Sequence, residues 1–205
     1  HIWVDLGAVG KTFKSLKQKG CEDVVMAGPI DRPSLSTVKP DMRALKLMPK
    51  LLKARGDDGL LSVLVEEFES EGFVVVGIDD VMEDVLAEVG VMGRVQPDET
   101  QKADIQRGID VVKALGALDV GQAAVVQQGF VLGVEAAEGT DGLIARCANM
   151  QRPGSAAILI KMTKPHQDRR ADLPTIGLRT IEAAVQAGLA GIAVEKDNVI
   201  IVERE

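Results

Sequence analysis

The sequence predicts an α/β protein of two domains: an incomplete Rossmann-like amino-terminal domain and a mixed α/β carboxyl-terminal domain. Two observations carry this reading. Short apolar runs such as "DVVM" and "FVVVGI" alternate with longer segments whose apolar residues recur at three and four, the pattern of strands between helices. That periodicity breaks at "EVGVMGRVQPDE", where Gly90, Gly93 and Pro97 interrupt the chain, and the rhythm after it differs. We therefore expect one domain over residues 1–90, a linker over 91–97 and a second domain over 98–205. A chain of 205 residues is long enough for two modest cores.

In the first domain "GAVGKTFKSLKQKG" reads as a helix, and "EDVVMAG" as a short buried strand closed by Gly28-Pro29. A polar turn with Pro33 and Pro40 follows. "MRALKLMPKLLKA" and "GLLSVLVEEFESEG" have amphipathic spacing and each ends near a Gly, and "FVVVGI" is the next strand. This order suits part of a parallel sheet covered by helices. Such a domain normally begins with a strand, so we expect its start to precede His1.

In the second domain "KADIQRGIDVVKALGALD" is a helix with Ile105, Ile109, Val112 and Leu115 on one face. "AAVVQQGFVLGVEA" reads as two strands joined tightly at Gly129, "GTDGLIARCANM" as a short helix and "AAILIKM" as a buried strand. "TIGLRTIEAAVQAG" is expected to be helical, and "GIAVEKDNVIIVE" a hairpin turning at Asp197-Asn198.

Composition removes several function classes. No apolar run approaches the roughly 20 residues that span a bilayer, and no export signal is visible, so the expected compartment is the cytoplasm. Cys21 and Cys147 lack metal or disulfide spacing and are expected to be buried small hydrophobes. A net charge of −7, with only five aromatic residues, argues against nucleic acid as a partner. An acidic protein can still handle a phosphorylated small molecule where local bases or a cation offset the repulsion.

Four stretches bear on chemistry. "DLGAVGKT" ends like a phosphate-binding loop, but Asp5 stands where that motif needs Gly, so Lys11, Lys14 and Lys17 are read as the solvent face of a helix. Gly28 and Arg32 leave the carboxyl end of a predicted parallel strand, where open α/β sheets place ligands; an ordinary turn with a surface Arg is an equal reading. "VEAAEGTDG" puts Glu135 at a strand end, with Glu138 and Asp141 around a Gly-Thr step that opens a helix. Those carboxylates suit a hard cation and the helix start suits an anion, while Thr140 or Asp141 equally suits a cap.

The fourth stretch is "KPHQDRRADLPTIG", at the carboxyl end of the strand bearing Lys161. Lys161, Lys164, Arg169 and Arg170 suit a diphosphate, and Asp168 and Asp172 beside them imply a cation, with Mg²⁺ the usual partner of phosphate. Local physics also makes Asp172 an N-cap for a helix entered through Pro174, and favours that reading. His166 lies on the same polar loop.

Taken together, Val134-Glu135-Ala136, Glu138-Gly139-Thr140-Asp141, Lys161, Lys164-Pro165, Gln167-Asp168, Arg170 and Asp172-Leu173-Pro174-Thr175-Ile176-Gly177 resemble the signature of one family. Gly121-Gln122 after Leu118-Asp119 and "DLPTIGLRTIEAAVQAGLAGI" extend the likeness over nearly the whole chain. The family is the UDP-2,3-diacylglucosamine pyrophosphatase of lipid A biosynthesis that is unrelated to the calcineurin-like phosphoesterases. The resemblance implies a two-domain, dimeric, Mg²⁺-dependent enzyme that binds substrate in a cleft between its domains. It would release UMP and 2,3-diacylglucosamine 1-phosphate as a peripheral protein at the inner membrane.

By the same resemblance Asp172 is the essential acid. Gly28, Arg32, Gln122, Thr140, Lys161, Lys164, Gln167, Arg170 and Thr175 are expected to bind substrate. Asp172, Asp168, Asp141 and Glu138 are the candidate metal ligands. The family's glycine-rich first strand and its carboxyl-terminal extension have no counterpart in these residues. A non-catalytic nucleotide-sugar or lipid sensor on the same fold is the alternative, because binding alone needs the same Lys and Arg groups.

Overall fold

A computed structural model describes residues 1–28, 39–54, 56–82, 84–165 and 167–204. The chain divides into two compact units, His1–Met82 with Asp168–Asp172, and Glu83–Gln167 with Leu173–Glu205.

The first unit runs α1 (Val9–Gln18), β1 (Asp23–Val25), α2 (Met42–Lys53), α3 (Gly56–Ser70), β2 (Val74–Val76) and α4 (Ile78–Val81). Strands β1 and β2 pair in parallel, Asp23 opposite Val74. A parallel pair needs a long crossover, which here carries the two amphipathic helices expected from the sequence. Phe13, Phe68 and Phe73 form an aromatic core, with Phe13 and Phe68 edge to face at 5.0 Å between ring centroids. Arg43 of α2 lies 4.8 Å from the centre of the Phe13 ring and pairs with Glu67 of α3 and with Glu71 just after it, while Lys17 of α1 also reaches Glu71.

The phosphate-loop likeness dissolves in this unit. Gly10 N–H at the start of α1 donates to Asp41 Oδ2 at 2.6 Å, so a protein carboxylate already occupies the helix terminus. Asp41 also caps α2 through Arg43 and Ala44, and the bond from Ala44 leads in holding its carboxyl below the usual range. Lys11, Lys14 and Lys17 are exposed, as expected for a solvent face.

The second unit runs α5 (Glu99–Ala117), β3 (Ala123–Gln127), β4 (Phe130–Val134), α6 (Gly139–Ala148), β5 (Ile158–Lys161), β6 (Thr175–Ile176), α7 (Leu178–Gln186), β7 (Gly191–Val194) and β8 (Ile200–Ile201). Its main sheet has the order β4-β3-β5-β7, antiparallel except for the parallel pair β5 and β7. Every residue of β3 and β5 is buried, because both faces of the sheet are covered. On one face Val125 and Leu159 pack on Leu143, Ile144 and Cys147 of α6. On the other, Val126 and Ile160 pack on Val112 of α5. Gly108 lets α5 come this close, since a Cβ there would collide with Ile160.

The tight connection at Gly129 is as the sequence predicts. Gln128 and Gly129 both have positive φ, 50° and 79°, the requirement of a two-residue hairpin turn. Three other expectations are corrected. Thr175 and Ile176 are not helical; they form β6, which pairs in parallel with β8, Thr175 opposite Ile200. The segment after Gly191 is not a hairpin. Asp197 adopts a positive φ of 56° while Asn198 does not, so β7 joins β5 and β8 goes to the small second sheet. Cys21 is exposed, whereas Cys147 is buried as expected.

Candidate active site

At the carboxyl end of β5, Lys161 enters a buried polar cradle of the second unit. Only 7% exposed, its Nζ donates to Thr140 Oγ1 and to the Thr175 carbonyl, each at 2.9 Å. Thr140 in turn donates to Glu135 Oε1 at 2.6 Å, and Glu135 Oε2 accepts the Gln122 backbone N–H at 2.9 Å. Strand β4 delivers Glu135, the first turn of α6 delivers Thr140, β6 supplies the Thr175 carbonyl, and Gln122 leads into β3. Gly121 must be Gly, because a Cβ would collide with the carbonyl oxygen of Glu135. Gln122 Oε1 is buried with no hydrogen-bond partner among the described residues. An acceptor left this way costs about 1–3 kcal/mol, which a ligand donor would recover.

Neither Thr140 nor Asp141 caps α6. The N-cap is Glu138, which makes no side-chain cap bond, and the Thr140 hydroxyl is committed to Glu135. Further along the loop, Lys164 pairs with Asp119 at 2.7 Å, and its backbone N–H donates to Oε1 of the buried Gln167 at 3.2 Å. The Thr175 hydroxyl bonds to Leu173 carbonyl, leaving the Thr175 carbonyl as the group that meets Lys161.

Asp168, Arg170 and Asp172 lie in the first unit. Arg170 grips Asp168 through Nε at 3.0 Å and an Nη at 2.8 Å, and reaches Glu69 at 2.6 Å with the other Nη. This fork holds the Asp168 carboxyl below its usual range and raises Arg170 further still. Arg169 pairs with Asp79 at 3.0 Å. Asp172 N–H donates to the Asp168 carbonyl at 3.0 Å, closing a turn. Asp172 is no helix cap: α7 begins at Leu178 behind Gly177, after β6 has intervened. Local sequence favoured the cap because Asp and Pro mark helix starts, but here Pro174 leads into a strand.

The remaining candidates are dispersed. Glu138 is bound by Arg146 at 2.6 Å and Asp141 by Arg179 at 3.2 Å. A hydrogen bond from its own backbone N–H leads in lowering the Glu138 carboxyl, with Arg146 adding to it. Gly28 has a φ of 99°. Arg32 and His166 lie outside the described residues. Among the described residues no three of His, Cys, Asp and Glu gather as a metal cage.

Sequence reasoning weighed Glu135 as a cation ligand and missed its bond to Thr140, which depends on the turn between β4 and α6. The salt-bridge partners Asp119 and Glu69 were missed for a different reason: they are 45 and 101 residues from Lys164 and Arg170.

Residues 1–85 match the LpxI N-terminal domain and residues 88–205 match the LpxI C-terminal domain. The chain belongs to the LpxI family. It is 44% identical over 210 residues to the UDP-2,3-diacylglucosamine pyrophosphatase LpxI of Caulobacter vibrioides, an alignment covering 98% of this chain and 75% of that protein. The C-terminal LpxI domain holds the whole Lys161 cradle. Asp172, though it lies in the stretch matched to that domain, groups by contacts with the residues of the N-terminal one.

Proposed function

We propose that this LpxI-family chain hydrolyses the diphosphate of UDP-2,3-diacylglucosamine to UMP and 2,3-diacylglucosamine 1-phosphate, a step of lipid A biosynthesis. One observation carries the site assignment: a buried ammonium, Lys161, is held at a strand end by the Thr140 hydroxyl and the Thr175 carbonyl. A fixed cation meets the phosphoryl charge that grows as water attacks phosphorus and the anhydride bridge breaks. Gln122 is suited to accept a hydrogen bond from a substrate N–H or hydroxyl.

Lys164 and Gln167 contribute polar groups from the loop after β5, and Asp172 is the acid assigned to orient the attacking water. Mg²⁺, held by Asp172 together with the diphosphate oxygens, would supply further charge neutralisation. Asp168 is the weaker candidate ligand, since Arg170 engages both of its oxygens.

The reading includes a homodimer acting as a peripheral protein on the cytoplasmic side of the inner membrane. None of the described helices is long and apolar enough to cross a membrane. Apolar surface for the acyl chains is at hand on α2, where Met42, Leu45 and Leu52 are exposed while Ala44 and Leu47 are buried.

The deciding experiment presents UDP-2,3-diacylglucosamine in mixed micelles, with Mg²⁺ or with excess chelator, and follows UMP. Release that needs the metal supports the full reading. Release indifferent to chelator removes Mg²⁺ from it, and no release by folded protein overturns the enzyme assignment.

A further inference from the structure

We propose that Glu135 is a positioning residue for this chemistry: its carboxylate, acting through the Thr140 hydroxyl, holds the Lys161 ammonium in register at the end of β5. The role of Lys161 in the reaction rests on the function proposed above, but the geometry of the relay does not.

The direction of the relay follows from proton counting. A threonine hydroxyl has one proton, and Thr140 gives it to Glu135 Oε1 at 2.6 Å. What Thr140 turns toward Lys161 is therefore a lone pair, and Nζ must be the donor across the 2.9 Å between them. The carboxylate cannot rotate to release the hydroxyl, because Oε2 is fixed by the Gln122 N–H at 2.9 Å and the side chain is only 6% exposed. The Glu135 backbone is tied down as well, its N–H donating to the Ala123 carbonyl at 2.8 Å.

Charge at both ends strengthens such a chain in a dry interior. Buried acid and base are weak evidence for stability alone, since apolar residues of like volume often serve as well. Glu135→Gln isolates the effect. If the new amide keeps its oxygen on the Gln122 N–H, its NH₂ faces Thr140, and the hydroxyl proton loses the acceptor that fixed its orientation. The ammonium keeps the Thr175 carbonyl but meets a Thr140 oxygen that is no longer held in place, while the volume of the site is unchanged.

The test compares the full chain with Glu135→Gln and Thr140→Val by two readouts. First, ¹⁵N-lysine NMR at low temperature should show a slowly exchanging ammonium signal that Lys161→Met removes, and both variants should lose it while retaining the wild-type unfolding temperature within a few degrees. Second, kcat/KM for UMP release should fall roughly 10- to 100-fold in both, the range seen when the partner that orients a site residue is lost. A wild-type spectrum without the Lys161 signal overturns the proposal. So does an unchanged signal, or an unchanged kcat/KM, in folded Glu135→Gln. Should Glu135→Gln fail to fold, Thr140→Val decides by the same criteria. Absence of UMP release by the wild type would sink the enzymatic reading, and the NMR arm would still judge the relay.

Discussion

Asp104, inside α5, places Oδ1 2.6 Å from the backbone N–H of Gly129 at the tip of the β3–β4 hairpin. Its other oxygen accepts the Gln128 N–H at 2.7 Å, and the side chain is 1% exposed. One carboxylate thus satisfies both turn donors and locks the hairpin to the helix beneath it. Asp104→Ala leaves those donors unpaired, and we expect a loss of about 2–4 kcal/mol, read as a lower urea midpoint for the C-terminal unit. Asp104→Asn keeps one acceptor and should lose less.

Asp172→Ala separates an enzyme from a sensor. The enzyme reading expects UMP release to fall by roughly 10²–10⁴-fold, the usual loss when a group that handles the water's proton is removed. Protection from thermal unfolding by UMP should persist, because bound product stabilises whatever still binds it. Wild-type protein that is stabilised by UMP yet never turns over substrate would favour the sensor.

Acid should loosen the Asp168–Arg170 pair. Arg170 depresses the Asp168 carboxyl, so its contribution to stability is complete above the unfolded-state value near 3.9. That contribution is lost as pH falls from about 4 through the lower folded value. In Asp168→Asn the dependence of the unfolding midpoint on pH should be shallower below pH 4 and unchanged above pH 5. Identical slopes for the two proteins would contradict this assignment.

Gln122→Leu should not destabilise the fold, because it removes a buried acceptor that has no partner among the described residues. We expect a thermal midpoint equal to or above the wild type, together with a higher KM for the nucleotide-sugar. A fall in the midpoint with KM unchanged would show Gln122 to be structural.

Legibility tracked the range of the interactions. The hairpin at Gly129 and the helix over Glu99–Ala117 could be read because turn chemistry and helical spacing are local. Strand β6 could not, since Thr175-Ile176 owes its extended form to pairing with Ile200-Ile201, 25 residues on. Asp172 was misread as a cap because Gly177, which does open the helix, makes no cap bond to reveal itself. In the site, Lys161 and Thr140 were visible as strand-end and helix-start residues. The link that orients them was hidden in the fold between Gln122 and Glu135.

The two cysteines differ sharply in environment: Cys21 is exposed, whereas Cys147 sits on the buried face of α6 with no accessible surface, its thiol pushed up by burial. A maleimide dye therefore distinguishes them without mutagenesis. The native molecule takes one label, on the N-terminal unit, and the second thiol reacts only when the C-terminal core opens. The chain thus carries its own optical handle and its own alarm for unfolding.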